Sequence, residues 1–195
     1  MIYIESDILK QVENSLAAFP KEMNKVMARA MNRALVSGRA KAATKARQVY
    51  SIKARDLKKG VVLSRATANN LWAEARFRGS VEPFTKFRFK PQGNFRQSGS
   101  RSRRSKGRLL KAMIKDRKWV SMSHAFALNS GGKTVIGEHP PGKSDEIKWL
   151  YGPSVPQMMG EDRVIKEFNR QAKEMLVKRL EHEIDYVLQK GLGNI

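Results

Sequence analysis

The chain is 195 residues long, has no cysteine, and sets 39 lysines and arginines against 18 aspartates and glutamates, a formal net charge of +21. An apolar share of 41% is enough for a real core, which excludes wholesale disorder. Disulfides and thiolate metal sites are excluded outright, and no stretch reaches the roughly 18 uninterrupted apolar residues of a membrane span.

The opening residues Met1–Asp7 are acidic and lack the basic region and apolar run of a signal peptide, so cytoplasmic synthesis is expected. Residues 6–18 read as a short helix, with Ser6 or Asp7 as N-cap and Leu9, Val12 and Leu16 on one face. Phe19-Pro20 breaks it, and Pro20 suits the opening of a second helix that runs to about Tyr50. Along that helix Met23, Met27, Ala30, Met31 and Ala34 form an apolar stripe, while Lys21, Lys25, Arg29 and Arg33 recur every four residues as a basic one. Its many alanines keep the profile thin, so another backbone can approach closely. Gly38 weakens the middle by about 1 kcal/mol relative to alanine and marks a possible bend.

Ser51–Gly60 reads as a helical turn capped by Ser51 and ended by Gly60. Val61–Ala66 and Leu71–Arg78 flank Asn69-Asn70, which predicts a hairpin; Phe84, Phe87 and Phe89 suggest a further strand. Stacking on bases is one use for those three phenylalanines among Lys86, Arg88 and Lys90. Alternation on a half-buried strand explains them more cheaply.

Residues 90–108 are rich in Gly, Ser and Arg and nearly devoid of apolar side chains, so a mobile basic loop is expected. Ala125–Leu128 and Lys133–Ile136 flank Asn129-Ser-Gly-Gly132, a second hairpin signal. Ile147–Tyr151 reads as a last short strand and Gly152–Pro156 as an extended connector. The final helix starts near Glu161 and Asp162, keeps a three/four apolar spacing from Val164 to Leu188, and is expected to end at Gly191. The expected fold is α+β: a long N-terminal and a long C-terminal helix packed on a small antiparallel sheet, with a basic flexible loop. One domain spanning 1–195 is expected, helical and basic over 1–60, sheet over 61–156, helical over 157–191.

The charge is unevenly distributed. Residues 21–120 hold 28 basic residues and five acids, a net of +23, whereas residues 138–195 hold nine basic and ten acidic residues. A localised positive field of this kind favours polyanions or acidic partners. The candidate binding residues are Arg96, Arg101, Arg103, Arg104, Lys106 and Arg108 in the loop, with Lys21, Lys25, Arg29 and Arg33 on the helix. Arginine forks contact phosphates well. A solvated loop, or an arm gripping an acidic neighbour, accounts for the same residues. No zinc-finger, RNA-recognition or helix-turn-helix signature is present, so any DNA contact is expected to be to phosphates.

Catalytic and metal constellations fare poorly. Gly132-Lys133-Thr134 resembles the end of a phosphate-cradling loop, but the required earlier glycine is Ala127 and no helix is predicted to follow. His124, His139 and His182 sit in separate segments without ligand spacing. No nucleophile-elbow motif stands out. An enzyme is not expected, nor a cofactor, metal or small-molecule substrate.

Several stretches, in order, resemble the bacteriophage minor tail protein Z family. They include Met27-Ala-Arg-Ala-Met-Asn-Arg33, Ser51-Ile-Lys-Ala-Arg-Asp-Leu57, Phe77-Arg-Gly-Ser80 and Leu150-Tyr-Gly-Pro-Ser-Val-Pro-Gln-Met158. The resemblance implies a virion protein at the head-proximal end of a phage tail, assembled in the host cytoplasm. It also implies a ring of copies, a hexamer by analogy, beside tail terminator, tail tube and head-tail connector proteins and near the genome end. No catalytic residues are carried over from it. Phe168, Met175, Leu180 and Ile184 on the near-neutral C-terminal helix are the candidates for packing between subunits. The alternative, resting on the basic segment alone, is a sequence-independent DNA-binding module of the packaging or nucleoid type, outside the tail.

Overall fold

The computed structural model describes residues 20–90, 110–140 and 146–192, together with residues 10, 12 and 14–18. It is a mixed α+β structure with antiparallel strands, and the chain forms two compact units. The first comprises Met1–Lys45, Val61–Arg78 and Met159–Ile195; the second comprises Ala46–Gly60 and Gly79–Met158.

In the first unit two long helices pack on each other, α1 (Pro20–Val49, whose last residues belong to the second unit) and α4 (Asp162–Leu192). Their apolar stripes meet: Val26, Met27, Ala30 and Ala34 share a buried cluster with Leu176, Leu180 and Val187. Val12 and Leu16, from the predicted first helix, join it; Leu9 lies outside the described residues. The alanine-rich profile has the expected consequence, because the axes come close at Gly38. A Cβ there would lie 3.0 Å from that of Ala172 and 3.2 Å from the Phe168 ring. Gly38 is a point of close approach.

The predicted hairpin is present in this unit as β1 (Val61–Ser64) paired with β2 (Glu74–Phe77), Val61 opposite Phe77. It is joined to α1 by the Asn32 side chain, whose amide donates to the Ala66 carbonyl at 2.8 Å while its oxygen accepts from the Ala66 N–H at 2.9 Å. Leu71 packs against the helix cluster. C-terminal to the sheet region the chain re-enters helix earlier than expected. Gly152–Pro156 is not an extended connector throughout, because α3 (Val155–Met159) begins inside it. Ser154 and Gln157 cap that helix reciprocally: the Gln157 N–H donates to Ser154 Oγ, and Gln157 Oε1 accepts from the Ser154 N–H at 2.8 Å. Pro156 is tolerated because a first-turn N–H has no helical partner to lose. At the other end α4 continues through Gly191 to Leu192.

The second unit holds the helix α2 (Ala54–Lys59) and three small sheets, so the single sheet expected from sequence is instead divided. Gly60 ends α2, but Ser51 does not cap it. Its hydroxyl donates to the Met113 carbonyl and accepts from the Arg88 N–H at 3.3 Å, tying residue 51 to two strands. The strands are β3 (Glu82–Pro83), β4 (Arg88–Lys90), β5 (Leu110–Met113), β6 (Trp119–Met122), β7 (Ala125–Ser130), β8 (Lys133–Glu138), β9 (Lys148–Trp149) and β10 (Tyr151–Gly152). They pair as β10-β3, β4-β5-β6 and β7-β8-β9, antiparallel throughout.

Phe84 lies in a 3-10 turn, Phe84–Lys86, so the predicted phenylalanine strand is broken and only Phe89 sits in β4. Phe84 and Phe87 are buried, and Phe89 packs against the cluster of Phe84, Leu110, Ala112 and Ile136, which agrees with the core reading. Gly131 and Gly132 form the two-residue turn between β7 and β8, both at positive φ. Gly132-Lys133-Thr134 is therefore a turn running into a strand.

Candidate polyanion interface

Two of the four cations in the basic stripe of α1 are answered within the chain. Lys25 donates to Glu22 at 2.7 Å, and the Arg29 guanidinium lies 3.9 Å from Glu22 and 3.2 Å from Glu183 of α4. The hydrogen bond from Lys25 holds the Glu22 carboxyl below the usual glutamate range. Arg33 is exposed; the Lys21 side chain lies outside the described residues. Further along the helix pair Glu167 receives Arg170 at 2.8 Å and Lys41 at 3.9 Å, and Arg170 also reaches Glu174 at 2.6 Å. The Arg170 contact lowers the Glu167 pKa, and Glu167 in turn raises that of Arg170. Exposed pairs of this kind add little stability, because water and salt screen them. Their effect on the field is larger, since each acid cancels a cation nearby.

The four residues singled out for packing between subunits lie inside the first unit. Phe168 and Leu180 are buried, and Met175 and Ile184 pack partly buried against the helix cluster. One chain supplies both halves of this contact, because α1 carries the complementary stripe.

The loop cations Arg96, Arg101, Arg103, Arg104, Lys106 and Arg108 lie outside the described residues. The chain enters that segment after Lys90 of β4 and leaves it at Leu110 of β5, two strands that pair with Lys90 opposite Lys111.

The β4-β5-β6 sheet also carries cations that no acidic residue meets among the described residues. The pleat sends alternate side chains to opposite faces. Phe89, Leu110, Ala112 and Met122 point to the core cluster. The register therefore places Arg88, Lys90, Lys111, Met113, Trp119 and Ser121 together on the other face, all exposed except the buried Met113. The Lys90 ammonium sits 4.7 Å from the centre of the Trp119 ring, within cation–π range. Among the described residues, no carboxylate comes within ion-pair distance of Arg88, Lys90 or Lys111.

Lys90 and Lys111 are direct cross-strand partners. Like charges so placed, with Cβ atoms about 5 Å apart, oppose folding. Lys111→Glu is accordingly expected to stabilise the protein by about 0.5 kcal/mol in urea denaturation at low salt. In about 1 M salt, where the screening length is near 3 Å, the gain should vanish. A destabilising Lys111→Glu at low salt would show that the two lysines do not face each other.

Sequence reasoning missed this face. β5 and β6 are joined by Asp116-Arg117, both at positive φ (51° and 55°), without the glycine or Asn-Gly pair that announces such a turn. The turn is held by tertiary contacts: the Asp116 N–H donates to the Val49 carbonyl at 2.7 Å, and Tyr50 bridges to Lys115. The one local signal was Lys111 standing between the apolar Leu110 and Ala112.

Comparison with known proteins gives one finding: the family model described as prophage minor tail protein Z matches residues 9–193. No curated protein and no solved structure matches the chain.

Proposed function

The chain belongs to the prophage minor tail protein Z family, and we propose that within the phage tail it completes the head-proximal end. In that place it joins the tail terminator and tail tube to the head-tail connector, as a ring of copies, a hexamer by resemblance, and meets the end of the genome through phosphate contacts. The match over nearly the whole chain carries this reading, since it extends the tail role to both compact units.

The charge distribution supports the finer part. Each copy brings +21, so a closed ring gathers like charge within a few nanometres. Screening over about 8 Å at physiological salt does not remove repulsion between subunits in contact. Something negative inside or beside the ring offsets it, and packaged DNA in a central channel supplies that charge at about one phosphate per 1.7 Å of duplex axis. Acidic faces of neighbouring tail proteins serve the same end at the outer rim.

To test the placement, the gene is deleted from an inducible prophage and the particles are imaged by electron microscopy and titred. Tails lacking density at the head-proximal end, with infectivity restored by the gene supplied in trans, are expected. Particles of normal appearance and full infectivity would refute the role.

A further inference from the structure

We propose that the exposed face of the β4-β5-β6 sheet is a sequence-independent nucleic-acid site, in which Arg88, Lys90 and Lys111 take backbone phosphates. The site rests on the proposed position beside the genome, and it identifies the surface that meets it.

The first reason is the treatment of identical residue types in one chain. On α1, Lys25 and Arg29 have glutamates at 2.7 and 3.2 Å. On the sheet, two lysines are register partners and neither meets a carboxylate among the described residues. Opposed like charges work against folding, and an anion seated between them reverses the sign of that interaction.

The spacing fits as well. Arg88 and Lys90 are two residues apart on one strand, about 6.8 Å, close to the separation of successive phosphates along a nucleic-acid strand. Lys111, on the adjoining strand, makes the third corner. Part of the site is also fixed before any ligand arrives. The backbone of Arg88 is tied to the Ser51 hydroxyl at 3.3 Å, and the Lys90 ammonium rests over Trp119. The Lys90 side chain therefore loses less freedom on binding.

The chemistry of the face selects nucleic acid over an acidic protein. A protein partner needs an apolar centre to bury. Here Met113 is already buried and Trp119 is the one large exposed apolar group. Three cations on one sheet face, one of them resting over an aromatic ring, match a phosphodiester backbone. Cations seated on phosphates carry no sequence information, so binding through this face is expected to be independent of sequence.

The test uses the full chain and a fluorescently labelled duplex of about 25 base pairs, with binding followed by anisotropy between about 50 and 200 mM salt. The triple variant R88Q/K90Q/K111Q is expected to flatten the log–log salt slope by about 3, equally for two unrelated sequences. Its thermal midpoint should match or exceed that of the wild type, since the opposed charges are gone. K25Q/R29Q, which removes cations already paired, should change the slope by less than about 1. An unchanged slope in the triple variant, or a larger loss in the helix variant, overturns the site. So does polyglutamate of equal charge displacing the duplex as well as unlabelled duplex does, which would assign the face to an acidic protein. Loss of binding in the triple variant beside normal infectivity of the deletion would keep the site and sink the tail placement; the converse would do the reverse.

Discussion

Replacing Gly152 by alanine is expected to destabilise the protein by about 3 kcal/mol, at the upper end of what overpacking costs. A Cβ at this position would come 2.9 Å from Cδ2 and Cζ of Phe87 and nearer still to Cε2. The ring cannot swing aside, because Phe87 is 3% exposed and enclosed on its other sides. Nor can the backbone withdraw freely: Gly152 is paired with Glu82 and its neighbour Tyr151 with Pro83. Adding Phe87→Leu to Gly152→Ala should recover part of the loss, since the smaller side chain vacates the space the methyl needs. Urea denaturation followed by tryptophan fluorescence measures both. A Gly152→Ala protein as stable as the wild type would mean the ring does not sit on the glycine.

The second large effect is expected at Gly38. Leucine there should cost about 3 kcal/mol and lower the melting temperature of the helical circular dichroism signal, because the helix pair must separate to admit it. Alanine should be nearly neutral, by cancellation of two terms. It gains about 1 kcal/mol of helix propensity. It loses a similar amount by crowding the Ala172 Cβ at 3.0 Å and the Phe168 carbonyl and ring at 3.2 Å. Combining Gly38→Ala with Ala172→Gly separates these terms, since the crowding is relieved while the propensity lost at 172 is known. If Gly38→Leu is tolerated without loss, the axes are not in contact at this level.

Both sites carry glycines whose roles were not legible along the chain. Gly38 reads, from sequence, as a weak point in a helix, and Gly152 as part of a connector. In three dimensions each is the place where a phenylalanine ring lies against main chain. Glycine at a close approach and glycine in a loop are the same letter. The difference lies in the residue that arrives from elsewhere, Phe168 in one case and Phe87 in the other.

Other features were legible and overlooked. Ser154-Val-Pro-Gln157 is a capping box that overlaps the stretch read as an extended connector, and proline in a first turn suits a helix. Asp116-Arg117 was not legible in the same way. Aspartate is among the residues that enter the left-handed region more readily. Arginine there costs on the order of 1–2 kcal/mol, which the contacts of Asp116 and Lys115 with Val49 and Tyr50 help offset.

What sequence by itself determined here is whatever depends on neighbours along the chain. The four-residue recurrence of α1, the long apolar spacing of α4, the Gly131-Gly132 turn, the excess of cations and the ordered family motifs all belong to that class. Beyond the helical pairs three and four residues apart, tertiary structure decided which cations meet an acid. Arg29 is answered by Glu183, more than a hundred residues away, whereas Lys90 is set opposite Lys111. A charge is cancelled or reinforced by what lies within a few ångströms of it, and only folding sets that distance.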